Sequence, residues 1–264
     1  MDLTGQRVAV LGAGRSGRAA ARLALRQGGV VTVYDTAREE VFREMPEGVA
    51  CHPDAGVETG RDCRADLVVV SPGIETGGGF AQSFAAAAGE FIGETEFAAR
   101  HFGGRIVAIT GTNGKTTTTE LIQRILTAGG MTCEACGNYG RPLADVVLDE
   151  SPPASVALEV SSFQLETIVS FRPEVAVWLN FSADHMDRYR TLDEYRDAKL
   201  RIFENQAGED TAVIRLGEEV GSIAAGRTTF SATEGGGDYS LEGTRILFGS
   251  EAVLDLAETR LRGI

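Results

Sequence analysis

A glycine-rich turn with one lysine, "TGTNGKTTTT", offers the clearest chemistry in this 264-residue sequence. It follows an apolar run at residues 105–109 and opens a helix-like run. In such a turn, glycines let backbone N–H groups face phosphates, Lys115 reaches the β- and γ-phosphates, and the Thr116 hydroxyl can bind Mg²⁺. The strict pattern needs a glycine at Ile109, so the sequence predicts a phosphate-loop variant. The predicted ATP-binding residues are Gly111, Thr112, Asn113, Gly114, Lys115, Thr116 and Thr117.

A second glycine turn lies near the N-terminus, in "VAVLGAGRSGRAAARLALRQGG". A strand-like run leads into residues 12–17, a helix-like run follows, and a second strand ends at Asp35. This order matches the dinucleotide fingerprint, for which NAD is the obvious ligand. The underlying chemistry is a diphosphate held on backbone N–H groups at a helix start. On this loop alone, an NAD-dependent oxidoreductase is one interpretation.

Polar residues also lie within one later strand-like run and directly after another. Glu159 stands in the apolar run of "LEVSSFQLE", and a buried carboxylate is unfavourable unless it is paired or bound to metal. Asp184, His185 and Asp187 follow the next strand in "LNFSADHMDRY", at the sheet edge where open α/β folds bind ligands. Lys199, in "YRDAKLRIFEN", taken by itself is typical of a solvated helix lysine.

Alternating strand-like and helix-like runs must position these residues. Strands are predicted at residues 67–70, 156–160 and 175–179, and helices at residues 94–102 and 192–205. This alternation is typical of parallel sheets covered by helices. We therefore predict an α/β fold: a Rossmann-like N-terminal domain, residues 1–93, followed by a P-loop-type ATPase domain, residues 94–264, with a mostly parallel central sheet.

Composition narrows the class of protein. Hydrophobic residues make up 43% and charged residues 24%, as in globular proteins, and the net charge of -13 argues against a nucleic-acid partner. No apolar run is long enough to cross a bilayer, and the N-terminus lacks a signal pattern, so we expect a cytoplasmic protein without membrane insertion. Cys133 and Cys136 form a C-x-x-C, either a redox or zinc pair or two small residues closing a buried strand.

Four segments, "TGTNGKTT", "EVSSFQLE", "LNFSADHMDRY" and "YRDAKLRIFEN", occur in one order. Together they resemble the Mur ligases of bacterial cell-wall (peptidoglycan) synthesis, over essentially the whole chain. The resemblance implies an ATP-dependent amide ligase. A substrate carboxylate attacks the γ-phosphate to give an acyl phosphate and ADP, and an amine then displaces phosphate. "SSFQLE" and "HMDRY" favour the family member that adds D-glutamate to UDP-N-acetylmuramoyl-L-alanine.

The resemblance also implies roles for individual residues. Lys115, His185 and Lys199 are the catalytic residues; Thr116 and Glu159 hold one Mg²⁺, while His185 and Lys199 serve a second. A free ammonium offers a metal no lone pair, so we expect Lys199 to be carbamylated. The first glycine loop is expected to receive a uridine diphosphate rather than NAD. The UDP-substrate residues implied are Gly14, Arg15, Ser16, Asp35, Thr36, Ser71, Pro72, Gly73, Asn138, Ser161, Gln164 and His185.

Two departures from the family are visible. The family often has an arginine directly after Asp-Thr, whereas this chain places Arg38 one residue later. The family also has a third domain, which carries the amino-acid site, and the sequence stops at Ile264 before it. We therefore expect the first two domains only, inactive alone and monomeric. The alternatives are the oxidoreductase, which leaves Glu159 and the second loop unexplained, and a non-catalytic UDP-sugar-binding module.

Overall fold

Two β-sheets organise the chain in the computed structural model, which describes residues 1–231 and 235–259. The first sheet has five parallel strands in the order β3-β2-β1-β4-β5. This is the strand order of dinucleotide-binding folds. Its elements are β1 (Arg7–Leu11), α1 (Arg15–Arg26), β2 (Val30–Tyr34), β3 (Ala50–His52), α2 (Val57–Asp62), β4 (Leu67–Val70), α3 (Gly79–Ala85) and β5 (Glu90–Gly93).

Both faces of the first sheet are buried, because alternate strand residues point to opposite sides. Val8 and Val10 of β1 belong to the large core under α1, while Ala9 and Leu11 pack with Phe84 of α3. The apolar strand runs in the sequence are thus explained by helices on both sides of the sheet.

The second sheet is mixed, with the order β14-β13-β12-β11-β10-β9-β6-β8-β7. Pairs from β7 to β12 are parallel, and β12–β13 and β13–β14 are antiparallel. Its strands are β6 (Arg105–Thr110), β7 (Cys133–Gly137), β8 (Ser155–Glu159), β9 (Val175–Trp178), β10 (Thr211–Arg215), β11 (Gly226–Ser231), β12 (Tyr239–Glu242), β13 (Arg245–Phe248) and β14 (Glu251–Asp255). The helices are α4 (Glu94–Ala99), α5 (Lys115–Ala128), α6 (Leu143–Val147), α7 (Ser162–Leu165) and α8 (Leu192–Leu200). Short 3₁₀ turns occupy Glu39–Phe42, Arg201–Phe203 and Leu256–Glu258.

The predicted α/β fold class is confirmed, but two helices are shorter than predicted. The helix expected to reach residue 102 ends at Ala99, where the chain tightens into i to i−3 hydrogen bonds. The helix expected to reach residue 205 ends at Leu200 and continues as a 3₁₀ turn. There the Arg201 guanidinium donates to the carbonyls of residues 165, 166 and 168, which holds the chain against α7.

Helix α1 joins the two sheets, because it also packs against α4 and α6. Arg15 donates to the carbonyl of Gly140, and Arg22 Nη2 lies 2.6 Å from Asp145 Oδ1. Cys133 and Cys136 are free, buried thiols of β7. Within residues 1–231 and 235–259, no three His, Cys, Asp or Glu side chains meet as metal ligands. Across the same residues, no helix has the length and apolar character to span a membrane.

Candidate functional site

The phosphate-loop variant joins the end of β6 to the start of α5. Gly114 adopts φ +85°, a left-handed conformation that favours glycine, and a Cβ at Gly111 would lie 2.9 Å from the Leu179 side chain. The Lys115 Nζ folds back over the loop and donates to the carbonyls of Gly111 and Thr112, at 3.0 Å each. The first N–H groups of α5 have no intrahelical acceptor, so the loop presents donors and a positive helix end.

Asn180, just beyond β9, clamps the first half of this loop. Its Oδ1 accepts from the N–H groups of Thr112 and Asn113, at 3.1 and 2.9 Å, and its Nδ2 donates to the Asn113 carbonyl at 3.0 Å. These two N–H groups are therefore engaged, and the donors left for a phosphate are those of residues 114–117. The sequence reasoning did not single out Asn180; its position directly after a strand was the available signal.

Glu159, the last residue of β8, is 3% exposed and has two partners. Its Oε2 accepts from the Thr116 hydroxyl at 2.7 Å, and its Oε1 accepts from Asn138 Nδ2 at 2.9 Å. Both partners are neutral, so the hydrogen bonds satisfy the carboxylate without compensating its charge. The structure thus brings together Thr116 and Glu159, the two residues expected to hold one Mg²⁺.

Lys199 is buried on α8, so the interpretation as a solvated lysine is wrong. Its Nζ donates at 2.9 Å to the carbonyl of Gly111, the same oxygen that accepts from Lys115, and lies 4.9 Å from the Tyr195 ring centroid. Burial, together with the nearby charge of Lys115, lowers the pKa of Lys199 to about 7, against the opposing effect of Asp184.

His185 lies on the other side of Tyr195, with its ring edge-on at 6.0 Å between centroids. The ring also contacts Phe163 at 5.1 Å, and the backbone adopts φ +52°. The Asp184 carboxylate accepts from the His185 N–H at 2.8 Å, which supports this turn. One aromatic ring therefore separates His185, which is exposed, from Lys199, which is buried.

The first glycine loop is built for close approach between strand and helix. A Cβ at Gly17 would lie 1.8 Å from the Gly12 carbonyl oxygen, so only glycine fits there. The Asp35 carboxylate accepts from the N–H groups of Ala13 and Ala37, at 2.7 and 2.8 Å, and so anchors the loop. Beside the loop, the Ser71 hydroxyl is buried and has no hydrogen-bond partner among the described residues, which leaves one polar group available to a ligand.

The remaining predicted UDP-substrate residues lie in different surroundings. Ser71, Pro72 and Gln164 line one cleft between the sheets. Ser161 caps α7, and Gln164 uses both ends of its amide inside the protein: its Oε1 accepts from the Ser161 N–H and its Nε2 donates to Thr95. Of the others, Gly14, Arg15, Thr36 and Gly73 are exposed, as is Arg38, and Ser16 is half-buried.

Two family descriptions match this sequence. "Mur ligase middle domain" matches residues 109–251, which include the phosphate loop, Glu159 and Lys199. The chain belongs to the Mur ligase family. "Mur ligase MurD-like, N-terminal domain" matches residues 6–93, the span of the first sheet.

Curated Mur ligases give the same result. The UDP-N-acetylmuramoylalanine–D-glutamate ligase of Geotalea uraniireducens is 44% identical over 232 residues, which are 86% of this chain and 51% of that protein. The enzyme of the same name from Trichlorobacter lovleyi is 39% identical over 284 residues, covering 100% of this chain and 62% of that protein. The chain spans about half the length of the curated relatives it matches.

Solved Mur ligase structures share the fold. The UDP-N-acetylmuramate:L-alanyl-gamma-D-glutamyl-meso-diaminopimelate ligase from Neisseria meningitides superposes with a TM-score of 0.60 at 15% identity, covering 94% of this chain and 85% of that one. The UDP-N-acetylmuramate-alanine ligase from Thermotoga maritima gives 0.54 at 20% identity, covering 95% and 60%. At these identities the likeness concerns the architecture alone.

Proposed function

We propose that this chain provides the ATP site and the UDP-substrate site of a ligase that joins D-glutamate to UDP-N-acetylmuramoyl-L-alanine. The observation that carries the proposal is the arrangement around the Gly111 carbonyl, where two lysines meet beside the Thr116–Glu159 pair. Phosphoryl transfer needs positioning and neutralised charge, and this arrangement supplies both. The names of the most similar relatives support the choice of substrate.

The triphosphate of ATP is proposed to lie on the N–H groups of residues 114–117, with Lys115 turning from the loop carbonyls to the phosphates. Mg²⁺ in such sites takes one or two protein oxygens and completes its shell with phosphate and water. The Thr116 hydroxyl and the buried, uncompensated Glu159 carboxylate fit that donor set. When bound, the ion supplies neutralisation of phosphate charge.

A second Mg²⁺ is proposed near His185 and a carbamylated Lys199. Burial favours the neutral amine of Lys199, and the shared Gly111 carbonyl brings a second ammonium close to it. The neutral nitrogen forms a bond to the carbon of CO₂ and loses one proton to solvent, which leaves an anionic carbamate with two oxygens. Oxygen ligands of this kind suit Mg²⁺.

The first sheet, in residues 1–93, is proposed as the UDP-substrate domain, and residues 94–264 as the ATP domain. The diphosphate would lie on the glycine loop, within reach of the unpaired Ser71 hydroxyl. Asn138, Ser161 and Gln164 are proposed to face the muramoyl part. The D-glutamate site is proposed to lie in a further domain, as the family resemblance implies. The cytoplasmic location and monomeric state remain predictions from the sequence.

Calorimetric titration of the chain with UDP-N-acetylmuramoyl-L-alanine tests this function, with UDP and NAD as controls and Mg²⁺–ATP as a second ligand. We expect saturable binding of the UDP substrate and of Mg²⁺–ATP, weaker binding of UDP, and none of NAD. Binding of NAD without the UDP substrate would favour the oxidoreductase. Binding of the UDP substrate without ATP would favour the non-catalytic module.

A further inference from the structure

We infer that Glu166 is a positioning residue that couples the proposed UDP-substrate loop to the His185 turn, an inference that rests on the proposed function. Its carboxylate, next to the end of α7, joins both parts of the chain. Oε2 accepts from the Thr76 hydroxyl at 2.6 Å and from Arg188 Nη2 at 3.0 Å, and Oε1 accepts from the Tyr189 hydroxyl at 2.6 Å. We call Thr76, Glu166, Arg188 and Tyr189 the Glu166 cluster.

On one side, the Glu166 cluster reaches the loop that follows β4. Ser71 opens this loop beside the glycine turn, and the backbone bends back at once, with the Ile74 N–H donating to the Ser71 carbonyl at 3.0 Å. Thr76 lies further along the same loop. Its hydroxyl donates to Glu166, and its carbonyl accepts from Gln82 Nε2 at 2.6 Å. A ligand that orders the Ser71 end of the loop therefore also orders Thr76.

On the other side, the Glu166 cluster reaches the proposed catalytic groups. The N–H groups of Arg188 and Tyr189 both donate to the His185 carbonyl, at 3.0 and 3.2 Å, so these residues form the turn that carries the histidine. The Tyr189 ring packs against the Tyr195 ring at 5.2 Å between centroids, and the Lys199 Nζ lies over the Tyr195 ring. The Glu166 carboxylate therefore holds Arg188 and Tyr189 in place. These two residues in turn support His185 through its turn and Lys199 through the Tyr195 ring.

Burial makes this arrangement stronger than a surface ion pair. The side chains of Glu166 and Arg188 are 17% and 14% exposed, and the Arg188 guanidinium also lies 4.4 Å from the Phe163 ring centroid. The Arg188 Nη2 also lies 3.5 Å from the Thr76 hydroxyl, so Thr76 is a partner of both members of this half-buried ion pair, and such a pair depends on the hydrogen bonds around it. Releasing Thr76 therefore loosens Arg188 and Tyr189, and ordering Thr76 tightens them. Coupling of this kind acts equally in both directions.

Hydrogen exchange of residues 185–190 in the 264-residue chain, with and without UDP-N-acetylmuramoyl-L-alanine, tests the coupling. In the wild type we expect the ligand to slow exchange in this segment. Thr76→Val, which replaces the hydroxyl by a methyl group of similar size, should abolish that protection and raise the ligand Kd by roughly fivefold or more. Thr76→Ser, which keeps the hydroxyl, is the matched control and should retain both. Glu166→Gln should show the same loss as Thr76→Val.

The outcomes separate the two proposals. If the wild type does not bind the UDP substrate, the proposed function fails. If it binds but Thr76→Val keeps the wild-type Kd, or the ligand still protects residues 185–190 in that variant, the coupling is refuted. If circular dichroism shows that Glu166→Gln does not fold, the comparison of Thr76→Val with Thr76→Ser decides alone, because these two variants differ in whether the hydroxyl is kept.

Discussion

Replacing Asn180 by alanine tests how the phosphate loop is held in its binding conformation. The substitution removes the acceptor of the Asn113 N–H and the donor to the Asn113 carbonyl, and it removes one of two acceptors of the Thr112 N–H. The backbone carbonyl of residue 180 still accepts from Thr112 at 3.1 Å. A hydrogen bond contributes roughly 1 kcal/mol net, and two bonds are lost without a replacement, so we expect the ordered loop to lose about 2 kcal/mol. The loss falls on the loop rather than on the sheet, because β9 keeps its pairing with β6 and β10.

ATP is proposed to bind the ordered loop, so its affinity should report this loss. A change of about 2 kcal/mol corresponds to a rise in the ATP Kd of roughly 10- to 30-fold. Displacement of a fluorescent ATP analogue in the presence of Mg²⁺ measures it. The unfolding free energy from urea titration, measured in parallel, separates loop disorder from global destabilisation.

Asn205→Ala is the matched control. Its Nδ2 donates to the carbonyls of Val169 and Phe171, at 3.1 Å each, away from the phosphate loop. This variant should lose unfolding free energy yet bind ATP as the wild type does. If Asn180→Ala also binds ATP with the wild-type Kd, the clamp does not hold the loop and the reasoning is wrong.

Three further predictions concern other parts of the molecule. Gly17→Ala should lower the unfolding free energy by about 1–3 kcal/mol because its Cβ would strike the Gly12 carbonyl, whereas at Gly14→Ala, where the space is open, urea titration should find little change. Burial raises the pKa of Glu94 to about 7, so wild-type stability should fall as the pH rises from about 4.5 to 7. Glu94→Gln does not titrate, and from pH 5 to pH 8 it should gain on the order of 3 kcal/mol over the wild type; thermal melts showing parallel curves would contradict this. With ¹³C-bicarbonate at pH 8, the wild type should show a carbamate ¹³C resonance absent from Lys199→Arg, and equal spectra would exclude the modification.

Local patterns predicted the strand, glycine turn and helix of the phosphate loop, because neighbouring residues determine these elements. The glycine turn and the following helix are specified within a few residues. The position of Glu159 in an apolar strand also indicated that its carboxylate has partners. The identity of those partners did not follow from local pattern, since the Thr116 hydroxyl lies 43 residues away in the chain. The Asn180 clamp was missed for the same reason: an asparagine after a strand leaves no periodic trace, and its contacts with the loop depend on the order of the strands.

Burial of Lys199 shows the limit from another direction. Its helix has acidic and basic residues on several sides, so the sequence alone favours a solvated position. The side chain turns inward because α8 packs on α7 and because the Gly111 carbonyl, 88 residues earlier, accepts a hydrogen bond from its Nζ. From the sequence, only the family resemblance indicated a functional role for Lys199.

The strand orders of the two sheets have a consequence for how the chain folds as it is synthesised. The first sheet closes within residues 7–93, so all its partners have been made before the second sheet begins. In the second, β6 lies between β8 and β9, and its nearer partner is completed only at Glu159. Because β8 and β9 are both synthesised after β6, β6 emerges from the ribosome with both edges unpaired. Closing the long loop from β6 to β8 also slows their pairing. We expect the first sheet to form early and to offer α1 as the surface on which the later helices α4 and α6 assemble.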